Sequence, residues 1–207
     1  MRIRYNVSMR KKNITKEMIC ETAISLAAES GLENFTTKKV ALRMGISEGT
    51  IFNNYPNKGA LLTDCLYSID REIDEVLKGV HFRLTAFSSY VHDLWYAYFR
   101  YLIANRDKAK FYLYFRHSAY YTAEVIKGQE QSFAFFSWFL KHHVSFFKVK
   151  PDIFWVFIIE TTMNFAVKGS EGDIEVSDTD IDSIYNLLMH GITGIFKKKA
   201  DDDDSSN

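Results

Sequence analysis

The sequence predicts an all-α fold, with three short N-terminal helices joined by one long helix to a larger helical region. Proline is nearly absent, occurring only at Pro56 and Pro151. Glycine is sparse. Apolar residues recur at helical spacing, and the alternation that marks strands is hard to find. Hydrophobic residues make up 47% of the chain, enough to bury a substantial core.

The elements follow in order. Thr15 caps a helix from Lys16 to about Ser30, with Ile19, Ala23, Leu26 and Ala27 on one face and Gly31 as the stop. Thr36 caps a short helix over Thr37–Met44, and Gly45 supplies the turn. Ser47 caps another short helix, Glu48 to about Asn54, which Pro56 terminates because proline cannot continue the ladder. Asn57 caps a long helix to about residue 78, with an apolar stripe through Leu61, Leu62, Cys65, Leu66, Ile69, Ile73, Val76 and Leu77. The acidic run Asp70–Glu75 on that helix reads as a solvated face. Further helices are expected over Ser88–Ala104, from a cap at Asp107 to about Ser118, over Thr122–His143, and over Pro151–Lys168. Gly169–Val176 reads as a loop. Ser177 and Asp180 have capping-box spacing and open a last helix to about Lys199.

The zero net charge hides a split. Residues 1–58 hold ten Lys/Arg against five Asp/Glu, whereas residues 59–207 hold sixteen against twenty-one. A basic head on an acidic body implies that only the head meets a polyanion. Residues 1–14 read as a flexible basic arm, 15–58 as a helix-turn-helix domain, 59–199 as the larger domain, and 200–207 as a disordered acidic tail, native or appended. No apolar stretch is long enough for a membrane span, and no apolar segment follows the basic start as a secretory signal requires, so a cytoplasmic protein is expected. Cys20 and Cys65 are expected to be reduced, buried and inert.

Two short helices separated by Gly45-Ile46-Ser47 make a helix-turn-helix pattern. Val40, Ala41, Ile46, Ile51 and Phe52 would lock the pair. Glu48, Gly49, Thr50, Asn53 and Asn54 form a small polar outer face. Gly49 would cost an ordinary helix about 1 kcal/mol relative to Ala, which is easier to explain if another surface approaches the backbone closely.

Residues 15–62 resemble the N-terminal domain of the TetR family of transcriptional regulators, with Gly31–Leu62 as the matching stretch. The resemblance rests on Thr36-Thr37, Val40-Ala41, Gly45, Ser47, Gly49-Thr50, Phe52, Tyr55-Pro56, and Lys58 with Ala60-Leu61-Leu62. It implies that Thr36, Thr37, Lys38 and Ser47 hold phosphate and that Lys58 clamps it. Thr50, Asn53 and Asn54 are candidates for base edges, since Asn can bond adenine twice in the major groove. Glu48 would accept from cytosine or merely favour the helix dipole. Phe52 stands where the family usually has Tyr, which removes a hydroxyl and leaves ring packing or contact with a thymine methyl. Arg43 replaces a residue that is often small.

The resemblance further implies a double-stranded DNA partner with a palindromic operator and a homodimer formed through the last two helices. It implies a repressor released when a ligand tilts the long helix. The region 90–165 is rich in aromatics, which are usually core but here are numerous enough for a pocket. Trp95, Phe99, Tyr112, Phe115, Arg116, Phe136 and Asn164 are the candidate ligand residues, for a small apolar or aromatic ligand. No metal, cofactor or catalytic set is expected: His142-His143 diverge on a helix, and no nucleotide-binding, zinc or nucleophile motif occurs. A ligand-independent DNA-binding dimer and an all-helical enzyme are the competing readings.

Overall fold

The computed structural model describes residues 14–81, 87–133, 150, 153 and 156–191. Every regular element among them is helical. The helices are α1 (Lys16–Ser30), α2 (Thr37–Met44), α3 (Glu48–Phe52), α4 (Lys58–Lys78), α5 (Phe87–Ala104), α6 (Arg106–Arg116), α7 (Ala123–Ser132), α8 (Thr161–Glu171) and α9 (Asp178–His190); a π-helical turn, Val156–Glu160, leads into α8. No described helix is long and apolar enough to cross a membrane.

Local chemistry sets most of the helix starts. Four orphan N–H groups at each start need acceptors, and short polar side chains supply them. Thr15 accepts from Met18 N at 3.3 Å, Thr36 from Lys39 N at 3.2 Å, Ser47 from Thr50 N at 3.2 Å, and Asn57 from Ala60 N at 2.9 Å. Ser177 and Asp180 close a reciprocal capping box.

Several boundaries differ from the sequence expectation. Asp107 lies inside the first turn of α6, and Asn105 occupies the cap position without a side-chain bond. Helix α7 ends at Ser132, eleven residues short of the expected end near His143, and residues 134–149 lie outside the described set. Gly169 sits within α8, which runs on to Glu171 and closes at Gly172. A Cβ at Gly169 would come within 2.8 Å of Val176 Cγ2, so this glycine serves close packing and does not break the helix. Helix α9 stops at His190 with Gly191 as its cap, and the expected continuation to Lys199 lies outside the described residues.

Helix α1 packs on α2, α4 and α6; α4 packs on α5, α6 and α7; α8 packs on α5 and α6; and α9 packs on α5. Among the described residues, one large apolar cluster runs from Ile19 and Val40 through Leu66, Phe99 and Phe115 to Met163 and Leu188. Head and body therefore share one core. Ile14, placed in the flexible arm by the sequence, already packs against it.

Candidate nucleic-acid interface

The turn between α2 and α3 is built around Gly45. Its φ of 67° lies in the left-handed region, where L side chains are strained and glycine is not. That conformation lets Gly45 N close α2 onto Leu42 O at 3.2 Å and Ile46 N onto Ala41 O at 3.0 Å. Val40 and Ile51 are fully buried and Ala41 nearly so, which locks α3 against α2 and α1.

The predicted contact residues divide into outward and inward groups. Thr36, Lys38, Gly49, Phe52 and Asn53 are exposed, and so is Ser47. Phe52 keeps 49% of its surface in solvent, so it does not help lock the helix pair as expected. Leu42, which the sequence reading passed over, is 80% exposed on α2. Around Gly49 the chain leaves room: a Cβ there would meet only Ser47 Oγ, at 3.7 Å.

Four residues are engaged inside the chain. Thr37 is buried, and its hydroxyl donates to Glu48 Oε1 at 2.7 Å, which joins α2 to α3. Glu48 is therefore a fastener between the two helices. Asn54 donates to Thr50 O at 2.9 Å. Lys58 donates to Leu32 O at 3.0 Å and Phe35 O at 2.8 Å, and its ammonium lies over the rings of Phe35 and Tyr120. Partial burial pulls its pKa below the usual lysine range. With two of three N–H groups given to carbonyls, Lys58 braces the loop before α2. Arg43 forms a bidentate pair with Glu29, at 2.6 and 2.7 Å.

The candidate ligand residues of the body mostly fill the core. Phe99 and Phe115 are fully buried. Trp95 stacks on Phe99 with centroids 5.0 Å apart and donates from Nε1 to Thr162 Oγ1 at 2.9 Å. Tyr112 donates to Asp70 Oδ1 at 2.6 Å, and Gln129 Nε2 bonds both Asp70 oxygens. Asp70 is wholly buried, which corrects the solvated face expected for it. Burial pushes its pKa from 3.8 to about 6, against the pull of Tyr112 and Gln129. The register held the clue: Asp70 falls four residues after Leu66 and three before Ile73, on the apolar stripe of α4. Arg116 donates to Tyr121 Oη at 2.7 Å and lies 3.5 Å from Glu160, while its Nε is buried with no hydrogen-bond partner. Asn164 is exposed and donates to Glu160 O. It lines an open concavity with Ile153, Val156, Phe157, Glu160 and Thr161, not an interior aromatic pocket. Phe136 lies outside the described residues.

The family model for bacterial regulatory proteins of the TetR family matches residues 19–65. The N-terminal domain is of the TetR family. The matched segment runs from the first turn of α1 through α2 and α3 into the first turns of α4, so it contains nearly all of the TetR-type head. No curated protein sequence matches the chain. Solved structures share the fold over most of the length. A TetR family transcription regulator from Marinobacter aquaeolei VT8 superposes with a TM-score of 0.71 at 18% identity, covering 85% of this chain and 94% of that one. A putative tetR family transcription regulator from Shewanella sp. PV-4 gives 0.70 at 18% identity, covering 84% and 96%. The fatty acid degradation regulator FadR from Bacillus halodurans gives 0.63 at 17% identity, covering 88% and 98%. The body behind the TetR-type head thus has the TetR fold as well.

Proposed function

We propose that this chain is a sequence-specific DNA-binding transcription regulator that reads a palindromic operator as a homodimer. The observation that carries the reading is the outer face of α3. Ile51 anchors the helix in the core, and Gly49, Phe52 and Asn53 are left outside. A glycine without a crowding neighbour lets a phosphate or base edge approach the backbone. Asn53 supplies a paired donor and acceptor for adenine. Phe52 offers an apolar edge to a thymine methyl. Thr36, Lys38 and Ser47 flank this face as phosphate contacts.

Dimerisation through the last two helices places two such heads on successive half-sites. Ile181, Ile184 and Leu188 of α9 are buried within their own chain. The apolar surface offered to a second copy is then Ile153, Val156 and Phe157, each more than half exposed.

The effector reading is a small apolar or aromatic ligand that enters between α4, α6, α7 and α8 and acts on a repressor. The buried Arg116 Nε–H, without an acceptor, supports it, because a ligand oxygen would satisfy a group whose desolvation otherwise costs about 1–3 kcal/mol. Ligand binding would then shift the population between two dimer geometries.

Selection of bound duplexes from a random pool tests the core of this reading. The expected outcome is a palindrome whose half-sites lie one helical turn apart. Asn53→Ala should relax the preference at one position per half-site. A dimer that binds no duplex at low ionic strength would overturn the proposal. A thermal-shift screen with planar and long-chain apolar compounds tests the effector: a hit should raise the melting temperature of the wild type and fail with Arg116→Met.

A further inference from the structure

Cys20 and Cys65 are the two cysteines of the chain, and both are free and buried where α1 packs on α4. The Cys65 thiol donates to the Cys20 carbonyl oxygen at 3.7 Å, which brings the two residues into contact. The Cys20 sulfur also lies 3.3 Å from the Tyr55 hydroxyl and 3.8 Å from Asp64 Oδ2, and Tyr55 donates to the same carboxylate oxygen at 2.8 Å. Cysteine in a core usually acts as a small hydrophobe. This pair instead sits in a polar network that offers Cys20 a donor and a proton acceptor.

We propose that Cys20 and Cys65 form a peroxide-responsive dithiol whose disulfide ties α1 to α4 and so regulates the DNA-reading head. The regulatory half rests on the function proposed above; the thiol chemistry does not.

The two thiols differ in the way such a pair requires. The neighbouring Cys65 side chain holds the Cys20 pKa below its ordinary value, with help from Tyr55 and against the effects of burial and of the Asp64 carboxylate. Burial pushes the Cys65 pKa well up. Cys20 also keeps 4% of its surface, whereas Cys65 keeps none. Cys20 is thus the attacking thiol and Cys65 the resolving one. Cys20 passes its proton to Asp64, and its thiolate attacks a hydroperoxide oxygen. The O–O bond breaks, an S–O bond forms, and the departing hydroxide takes up a proton as water. The Cys65 sulfur then attacks the sulfenyl sulfur of Cys20. The S–S bond forms, the S–O bond breaks, and the Cys65 proton leaves with the hydroxyl as a second water. The two thiols lose two electrons in all, and the peroxide gains them.

The resulting loop spans residues 20–65 and encloses α2 and α3, nearly the whole matched TetR segment. A crosslink there fixes α1 on α4 and removes the sliding that head adjustment on DNA requires.

The test is graded hydrogen peroxide on the folded full chain, followed by thiol counting after denaturation, intact mass and peptide mapping. The expected result is loss of both thiols, a mass lower by two hydrogens, and a Cys20–Cys65 crosslinked peptide that dithiothreitol reverses. Cys65→Ser should stop at a Cys20 sulfenic acid that dimedone traps. Wild-type protein that keeps both thiols, or that links them between chains, overturns the proposal without relying on a variant that might misfold. Oxidised protein should bind its selected duplex about tenfold more weakly, within the usual range for coupling between sites, and recover with reductant. A disulfide that leaves the affinity unchanged overturns the switch. Failure of the reduced chain to bind any duplex would instead sink the DNA reading and leave the mass result untouched.

Discussion

The reading head and the body are made of the same kind of helix but held together differently. In the head, each helix starts on a side-chain cap three residues before the N–H it accepts from, and the α2–α3 pair is fastened by a side-chain bond, Thr37 to Glu48. In the body, the fasteners join residues far apart: Asp70 to Tyr112 and Gln129, Trp95 to Thr162, Tyr101 to Glu72. The head leaves Leu42 and Phe52 in solvent, while the body buries Trp95, Phe99, Phe111 and Phe115 in its interior. A surface that must meet a partner is kept open and locally stiff. The body is knit by long-range polar contacts, which can be rearranged only together.

That contrast can be broken at the shared core. Phe99 is fully buried and stacks on Trp95. Phe99→Ala should destabilise the chain by about 3–5 kcal/mol, from lost transfer energy plus the cavity left behind. Because one apolar cluster runs from α1 to α9, denaturant should still produce a single transition, followed together by a head probe and a body probe. A head that melts separately, unaffected by the substitution, would show that the two regions are joined in geometry but not in energy.

Asp70 sharpens the comparison next. Its folded pKa of about 6 exceeds the 3.8 of an ordinary aspartate. A raised carboxyl pKa means the folded state binds more protons than the unfolded one between those values. The stabilisation is fully present below about 3.8 and falls away as pH rises to about 6, with no further change above. The loss is on the order of 3 kcal/mol. Other carboxylates superpose their own slopes, so the difference between wild type and Asp70→Asn is the quantity to measure. That difference should vary across pH 4–6 and be flat from 6.5 to 8. A difference that is flat throughout would mean that Asp70 stays ionised in the fold.

The same contrast explains what was legible in the sequence. The head was legible because its signals are local: Thr15, Thr36, Ser47 and Asn57 each announce a helix start within a few residues, and Gly45 and Pro56 announce the ends. The all-α class followed from the same cues. The body was legible only in outline. Nothing near Asp70 reveals that a tyrosine 42 residues away and a glutamine 59 residues away will enclose it. Gly169 looked like a break because its reason for being small, Val176, lies across a turn. Aromatic abundance cannot distinguish a filled core from a lined pocket, since both bury rings at helical spacing. The internal bonds of Lys58 were hidden for a related reason: its carbonyl partners, at residues 32 and 35, belong to a loop whose shape a motif does not convey.

Lys58 and Lys38 therefore make a paired test within the head. Lys58→Met removes two charge-assisted bonds to carbonyls and should cost about 1–3 kcal/mol of stability. It should leave the salt dependence of duplex binding almost unchanged. Exposed Lys38→Ala should do the reverse, leaving stability alone and lowering the salt slope by roughly one released counterion. A Lys58 variant whose salt slope falls as much as that of Lys38 would restore the phosphate clamp that the family resemblance implies.

The smallest expected effect bears most directly on why the head stays open. Gly49 has an ordinary helical position and free space around it, so alanine fits without strain. On the folded chain alone, Gly49→Ala should raise stability by up to about 1 kcal/mol, because glycine loses more backbone freedom on folding. On DNA it should act oppositely, since the added methyl stands on the exposed face from which a base or phosphate would approach the α3 backbone. A higher melting temperature with weaker duplex binding would mean that this position gives up stability for contact. A gain in both would mean that DNA passes α3 at a distance and that the glycine serves no purpose in recognition.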